Sequence, residues 1–498
     1  MEINGLALEH STIGDLVAAQ VAGQTTARQL VQAYLDRIAG LDQTGPALNA
    51  VVTIADGALR RAGELDRALA VSGPVGPLHG VPVVVKDNLE TADMPTSFGS
   101  ELFADYQADR DASAVAALRS AGAIVIAKTS LPDWATSWFG HSSRTGVTRN
   151  PFDLERDPGG SSAGTAAAVA AAYAAAGLGT DCGGSVRLPS SLCNLVGVRP
   201  TPGLTSRAGS SPLVGAQDTV GPMTRTVEDA ARLLDVIAGF DAADPLTATY
   251  STTHHLRPGS FRGCLVPDAL VGRRLGVLRS AFGSDSDIEA APVNEVMRGA
   301  LRQLVAGGAE LIDVTIDDLR GWIERTSMYT LASKRDLNAW LAQRPKGPAG
   351  SVAEIIGSGR YDSRLDLLEA IAAGPEDPLS ERVYIEAYLA REAFSRLLVG
   401  MMEVQGLSGL VYPTCQVLAP RRSDIEAGKW TTLNFPTNTV IGSQSWLPSI
   451  TVPAGLAAGQ VPVGLEILTR PHAEHTMFGL AYAFERVRVH RTLPSVAA

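Results

Sequence analysis

The stretch Pro158–Pro200, PGGSSAGTAAAVAAAYAAAGLGTDCGGSVRLPSSLCNLVGVRP, sets a glycine-serine turn on each side of an alanine-rich helix. Alanine has the highest helix propensity and lets a helix pack against its neighbours at close range. Glycine followed by serine at either end brings backbone N–H groups and hydroxyl oxygens near one another. Such a unit suits acyl chemistry at a serine, and it equally suits two ordinary helix caps.

Composition narrows the choice. Of 498 residues, 45% are hydrophobic and 19% charged, as in a compact globule with no long disordered tract. The net charge of −10 has the wrong sign for phosphate backbones or anionic lipid, so a small, uncharged or cationic partner is expected, with no nucleic acid and no membrane. Cys182, Cys193, Cys264 and Cys415 lack CxxC or CxxH spacing, which indicates neither a zinc site nor a disulfide framework. The N-terminal MEINGLALEHST lacks the basic and apolar regions of a secretory leader, and the apolar run Ala166–Ala176 is too short to span a bilayer. A cytoplasmic protein without metal or cofactor, monomeric or homodimeric, is expected.

Along the chain, helical and strand patterns alternate. Residues 11–41 and 55–70 are predicted helical, and Asn49–Ile54 a strand. GPLHGVPVVVKDN, from Gly76 to Asn88, reads as a buried strand ending on Lys86; Ser113–Ala121 as a helix; and Ala123–Lys128 as a second buried strand. The loop that follows carries Trp134, Trp138 and Phe139, which would either line a pocket or anchor the loop on the core. Val227–Ala238 is an amphipathic helix, and the Gly, Pro and Thr-rich segment Gly239–Gly272 a connector and candidate subdomain break. Arg274–Leu278, Glu310–Val314, Leu410–Pro413, Ser449–Pro453 and Val463–Leu468 read as strands, Val293–Ala306 and His475–Val489 as helices, and Leu319–Leu398 as a mainly helical cap. Helix and parallel-type strand alternate, which is an α/β pattern.

Five lysines stand among 42 basic residues, so one that closes the run VPVVV is unusual. Lys86 either snorkels from a strand end into water or is buried, neutral and able to act as a base. In TDCGGSVR, Gly183 and Gly184 can turn successive N–H groups toward one point beside Ser185, a geometry that fits an oxyanion or a plain connecting loop. GSSAG is formally G-x-S-x-G with Ser162 as nucleophile. That elbow needs a buried strand before it, and the polar, proline-broken RNPFDLERDPG does not provide one.

Taken together, GVPVVVKDN with Lys86, GGSSAGT with Ser161 and GTDCGGSVRLPSSLCNLVGVRPT with Ser185 resemble the amidase signature family of amide hydrolases. The 24 positions between Ser161 and Ser185 match that family's spacing, and the likeness runs from about Leu30 through VPVGLEIL. The resemblance implies one amidase signature domain over 1–498, an α/β fold with a large mixed, mostly parallel central sheet flanked by helices and a helical cap region. Within it, 1–70 is an N-terminal helical part, 71–240 holds the catalytic core motifs, 319–398 is a cap insertion and 399–498 returns to the core sheet. It further implies that Ser185 is the nucleophile, that Ser161 is the bridging serine beside a cis Gly160–Ser161 bond, and that Lys86 is the base. The backbone N–H groups of Cys182, Gly183, Gly184 and Ser185 would form the oxyanion hole, with Ser162, Asp181 and Arg187 in support. Ala163 and Thr165 stand where the family has glycine and serine, and neither change removes a reacting atom.

The expected reaction is hydrolysis of an amide C–N bond through an acyl-enzyme. The substrate is expected to be an apolar or aryl amide, with carbamates and esters open. The alternatives are a peptide C-terminal amidase, or the glutamine-hydrolysing subunit of a tRNA-dependent amidotransferase.

Overall fold

The computed structural model describes residues 2–253, 259–458, 460–487, 492–494 and 496. Eleven strands form its central sheet. In chain order they are β1 (Val51–Ile54), β2 (Pro82–Lys86), β3 (Ile124–Thr129), β4 (Ala176–Asp181), β5 (Val196–Arg199) and β6 (Thr219–Thr224), then β7 (Arg274–Leu278), β8 (Glu310–Val314), β9 (Gly409–Pro413), β10 (Ser449–Ala457) and β11 (Val461–Leu468). Across the sheet the order is β8-β7-β9-β11-β10-β5-β6-β4-β2-β3-β1.

The sheet is mixed, as expected. Parallel pairs lie on both flanks, β8 with β7 and β7 with β9 on one side, β4 with β2 and β2 with β3 on the other. An antiparallel middle joins them, and the register Ser449↔Arg199 to Thr451↔Gly197 stitches the C-terminal half to the N-terminal half. The connector Gly239–Gly272 therefore links two halves of one sheet; its residues 254–258 lie outside the described residues.

Every residue of β2, β3 and β4 is buried, which explains the apolar runs that precede their polar ends. The helix Ala163–Ala170 is buried on all its faces. It lies so close to the strands that a Cβ on Gly164 would come within 2.3 Å of the Ala50 carbonyl oxygen, and only small side chains fit. The alanine run is not one helix, however. It stops at Ala170, turns through Ala172 at φ +57°, and restarts as β4, because AGLG is flat enough to occupy a sheet position covered on both faces. β5 and β6 went unpredicted: VGVR and TVGPMT carry glycine and proline that weaken a strand pattern.

The predicted helix His475–Val489 is observed as Glu474–Val487, and its last two residues lie outside the described ones. Residues 319–404 contain the helices Leu319–Arg325, Tyr329–Leu341, Val352–Gly357, Asp366–Ala372 and Arg382–Val404. Among the described residues no helix is long and apolar enough to cross a membrane, and all four cysteines are free thiols.

Candidate active site

The parallel register of β2 and β4 brings the first elements together. Val83, Val84 and Val85 lie opposite Ala176, Gly177 and Leu178, so both strands end at the same height. Ligand sites in α/β sheets form at such carboxyl ends. Lys86 there is fully buried; its Nζ donates to Ser161 Oγ at 2.7 Å and to Thr180 Oγ1 at 2.9 Å. Asn88 Nδ2 donates to the same Thr180 hydroxyl at 3.0 Å. Burial lowers the pKa of Lys86 from 10.5 to about 7, a loss that the more distant charges of Asp181 and Asp218 only partly oppose. Burial, and not a snorkelling position in water, is thus the state of this lysine.

Ser161 sits in a turn tied at several points. The Gly160–Ser161 peptide is cis. Gly159 N–H donates to Asp157 Oδ1 at 2.8 Å, Gly160 N–H to the Trp138 carbonyl at 2.7 Å, and Ser162 N–H to the Ser185 carbonyl at 3.1 Å. That last bond joins the two glycine-serine turns across the helix. Ser162 also donates its hydroxyl to the Thr180 carbonyl at 3.4 Å, so it braces the site from within.

The second turn follows β4. Asp181 accepts from Val186 N–H at 3.2 Å and from Arg187 Nε and Nη2, each at 3.1 Å, which closes residues 182–186 into a loop held from beneath. Arg199 Nη1 adds bonds to the Asp181 carbonyl and to Oδ1, at 2.6 and 3.1 Å. Burial alone would raise the pKa of Asp181; the two guanidinium groups outweigh it and hold the carboxyl at about 2. Arg187 also pairs with Glu466 of β11 and donates to Ser443 Oγ at 2.7 Å. Among the described residues, the N–H groups of Cys182, Gly183, Gly184 and Ser185 donate to no protein acceptor, leaving four donors on one loop. Gly184 adopts φ +142°, and a Cβ there would lie 1.9 Å from Thr439 Oγ1. Cys182 keeps its thiol protonated: burial first, then neighbouring Asp218, pushes its pKa well up.

Ser185 is 4% exposed and opens into a cavity of about 790 Å³. Trp138, Leu213, Ile323, Leu331, Phe435 and Val440 give this cavity an apolar wall. Its charged members Arg320 and Glu324 are bonded to each other at 2.9 Å. Of the three aromatic residues considered for a pocket, only Trp138 lines it. Trp134 is fully buried in a separate aromatic cluster, stacked on Phe98 with centroids 5.0 Å apart and edge-on to Phe103 and Trp340. Phe139 is buried against Phe435, centroids 5.3 Å apart. These two anchor the loop on the core, because their backbone directs the rings inward. Thr180, Gln217 and Thr439 carry no sequence signal of their own, although Thr180 stands inside the GTD motif itself.

A sheet with this order, a buried lysine against a serine, and a glycine loop of free donors beside a second serine define an amide-hydrolase type of site. The chain belongs to the amidase family, whose description, Amidase, matches residues 29–478. It is 33% identical over 494 residues, 97% of this chain and 98% of the relative, to a Glutamyl-tRNA(Gln) amidotransferase subunit from Oleidesulfovibrio alaskensis. Among solved structures it resembles the native peptide amidase of Stenotrophomonas maltophilia, with a TM-score of 0.86 and 34% identity over 98% of this chain and 99% of that one. It also resembles a bacterial aryl acylamidase of the amidase signature family, with a TM-score of 0.81 and 25% identity over 96% of each chain. The protein is therefore an amide-hydrolysing enzyme of mixed α/β fold.

Proposed function

We propose that this enzyme hydrolyses carboxylic amides of apolar or aryl acyl groups, C-terminally amidated peptides with an apolar last residue among them, through an acyl-enzyme on Ser185. The observation that carries this reading is the fully buried Lys86 bonded to Ser161, on a turn tied by Ser162 N–H to the Ser185 carbonyl, with Ser185 lining the cavity.

In the neutral amine, the lone pair of Lys86 takes the Ser161 proton while Ser161 takes that of Ser185. Ser185 Oγ then bonds to the amide carbon. The resulting oxyanion is met by the N–H groups of Cys182, Gly183, Gly184 and Ser185. Collapse breaks the C–N bond, and the amine leaves with the proton returned from Lys86 through Ser161. Water, activated by the same pair, releases the acid. Esters and carbamates need no other machinery. The helices of residues 319–398 act as the cap, since they supply much of the cavity's apolar wall.

The apolar lining and the cavity size favour a bulky acyl group over a small polar amide. The likeness to a peptide amidase supports the same direction. Glutamine, the substrate of the alternative reading, brings an ammonium and a carboxylate into the pocket, and the charged lining residues Arg320 and Glu324 are already paired with each other. The net charge of −10 likewise supports action without nucleic acid.

The test is a panel of peptide amides, aryl amides, nitroanilides, aryl carbamates and glutamine, run on the wild type and on folded Ser185→Ala. Turnover of apolar amides, lost in Ser185→Ala, is expected. Glutamine as the best substrate would overturn the substrate class, and an active Ser185→Ala would overturn the mechanism.

A further inference from the structure

Behind the glycine loop lies an arginine that the reaction above does not use. Arg391, on the helix Arg382–Val404, is 1% exposed. Its partners are neutral: the carbonyls of Gln444 at 3.1 Å and Ser443 at 3.3 Å, the side-chain oxygen of Gln217, and the face of Trp446 at 4.8 Å. Taking an arginine out of water without a carboxylate is unfavourable, and burial lowers its pKa to about 10.

The chemistry of the guanidinium settles how Gln217 is oriented. Arginine only donates, so Gln217 must turn Oε1 toward it, and both hydrogens of Nε2 then point the other way. They reach the Cys182 carbonyl at 2.5 Å and the Tyr329 hydroxyl at 3.1 Å. Gln217 is itself fully buried, and this side-chain amide is fully used. The Cys182 carbonyl belongs to the same peptide unit as the Gly183 N–H. A donor on that oxygen pulls electron density through the amide and makes the N–H a stronger donor.

We infer that Arg391, acting through Gln217, is a positioning pair that fixes and polarises the Cys182–Gly183 peptide, so that Gly183 N–H is aimed and strengthened for the developing oxyanion. This rests on Ser185 being the nucleophile. The bonds are in place before substrate arrives, and the charge that develops at the loop finds its donors already oriented.

The test separates this role from scaffolding. Gln217→Glu keeps an acceptor for Arg391, and gains an ion pair with it, but places an acceptor against the Cys182 carbonyl. Its kcat is expected to fall about 10- to 100-fold with KM changed less than about threefold and the fold retained by circular dichroism. A peptide aldehyde, whose adduct on Ser185 puts an oxyanion in the hole, should lose affinity in step with kcat, while the matching alcohol should not. Arg391→Met should show the same split, and it carries the prediction should Gln217→Glu fail to fold. Arg391→Lys should recover part of the rate. A folded Gln217→Glu with wild-type kcat, or equal losses for aldehyde and alcohol, overturns the inference. An active Ser185→Ala, measured alongside, would instead overturn the reading on which it rests.

Discussion

Replacing Lys86 by methionine should abolish activity and remove from the fold a penalty that depends on pH. The folded-state pKa of about 7 stands well below the ordinary lysine value of 10.5. Between those two values the unfolded chain binds a proton that the folded chain does not, so wild-type stability rises with pH across this window. Below about pH 7 the penalty is complete; above 10.5 it has vanished. At about 1.36 kcal/mol per pH unit, the whole window is worth about 5 kcal/mol. Methionine has no such penalty, but it orphans Ser161 and removes one of the two donors to Thr180, at about 1 to 3 kcal/mol for each group left unsatisfied. That loss does not change with pH. The difference in unfolding free energy between variant and wild type should therefore shrink by about 2 kcal/mol from pH 7.5 to pH 9.0, whatever its absolute size. Urea unfolding at the two pH values measures it. Independently, wild-type kcat/KM should climb with pH to a plateau, with a midpoint near the same pKa. A stability difference constant within about 0.5 kcal/mol over that range would refute the reasoning, because Lys86 would then titrate alike in the folded and unfolded chain.

Lys128→Met should lower stability by about 3 to 5 kcal/mol in urea unfolding, because it strands the buried Asp87 that Lys128 pairs with at 2.9 Å. Trp134→Ala should cost about 3 to 5 kcal/mol in the same assay while leaving the ranking of substrates in a panel unchanged. Trp138→Ala, on the cavity wall, should reorder that panel toward bulkier acyl groups. Gly184→Ala should lower kcat by at least about tenfold with the fold retained by circular dichroism, since its methyl group would displace the loop from the buried Thr439.

The three motifs were legible because the backbone itself demands their residues. Gly184 holds a positive φ against Thr439, and the Asp181 and Arg187 side chains fold back on the loop between them. Strands rich in valine were legible for the same reason, being buried on both faces. What sequence reading missed depends on long-range placement. Gln217 and Arg391 are 174 positions apart, and neither sits in a recognisable pattern. Trp134 and Trp138 follow one strand within a few residues of each other and look equivalent in sequence. In the structure a left-handed turn at Trp134, φ +56°, sends its ring into the Phe98 cluster while Trp138 faces the cavity.

The two lysines of the core make the same point about chemistry. Lys86 and Lys128 both come at or near the end of apolar strands, adjacent and parallel, with Lys128 opposite Val85 and Thr129 opposite Lys86. Both are fully buried, and burial lowers the pKa of each. They differ in what each side chain meets. Lys128 finds the carboxylate of Asp87, which favours the charged form, whereas Lys86 finds only the hydroxyls of Ser161 and Thr180. A hydroxyl can donate as well as accept, so the Lys86 nitrogen can shed its proton and keep both contacts. The nearest carboxylate in sequence, Asp87, lies in the turn just past β2, where it pairs with Lys128 and accepts from Ser97 instead. A buried lysine free of any carboxylate partner among the described residues and a structural ion pair are thereby made from the consecutive residues Lys86 and Asp87.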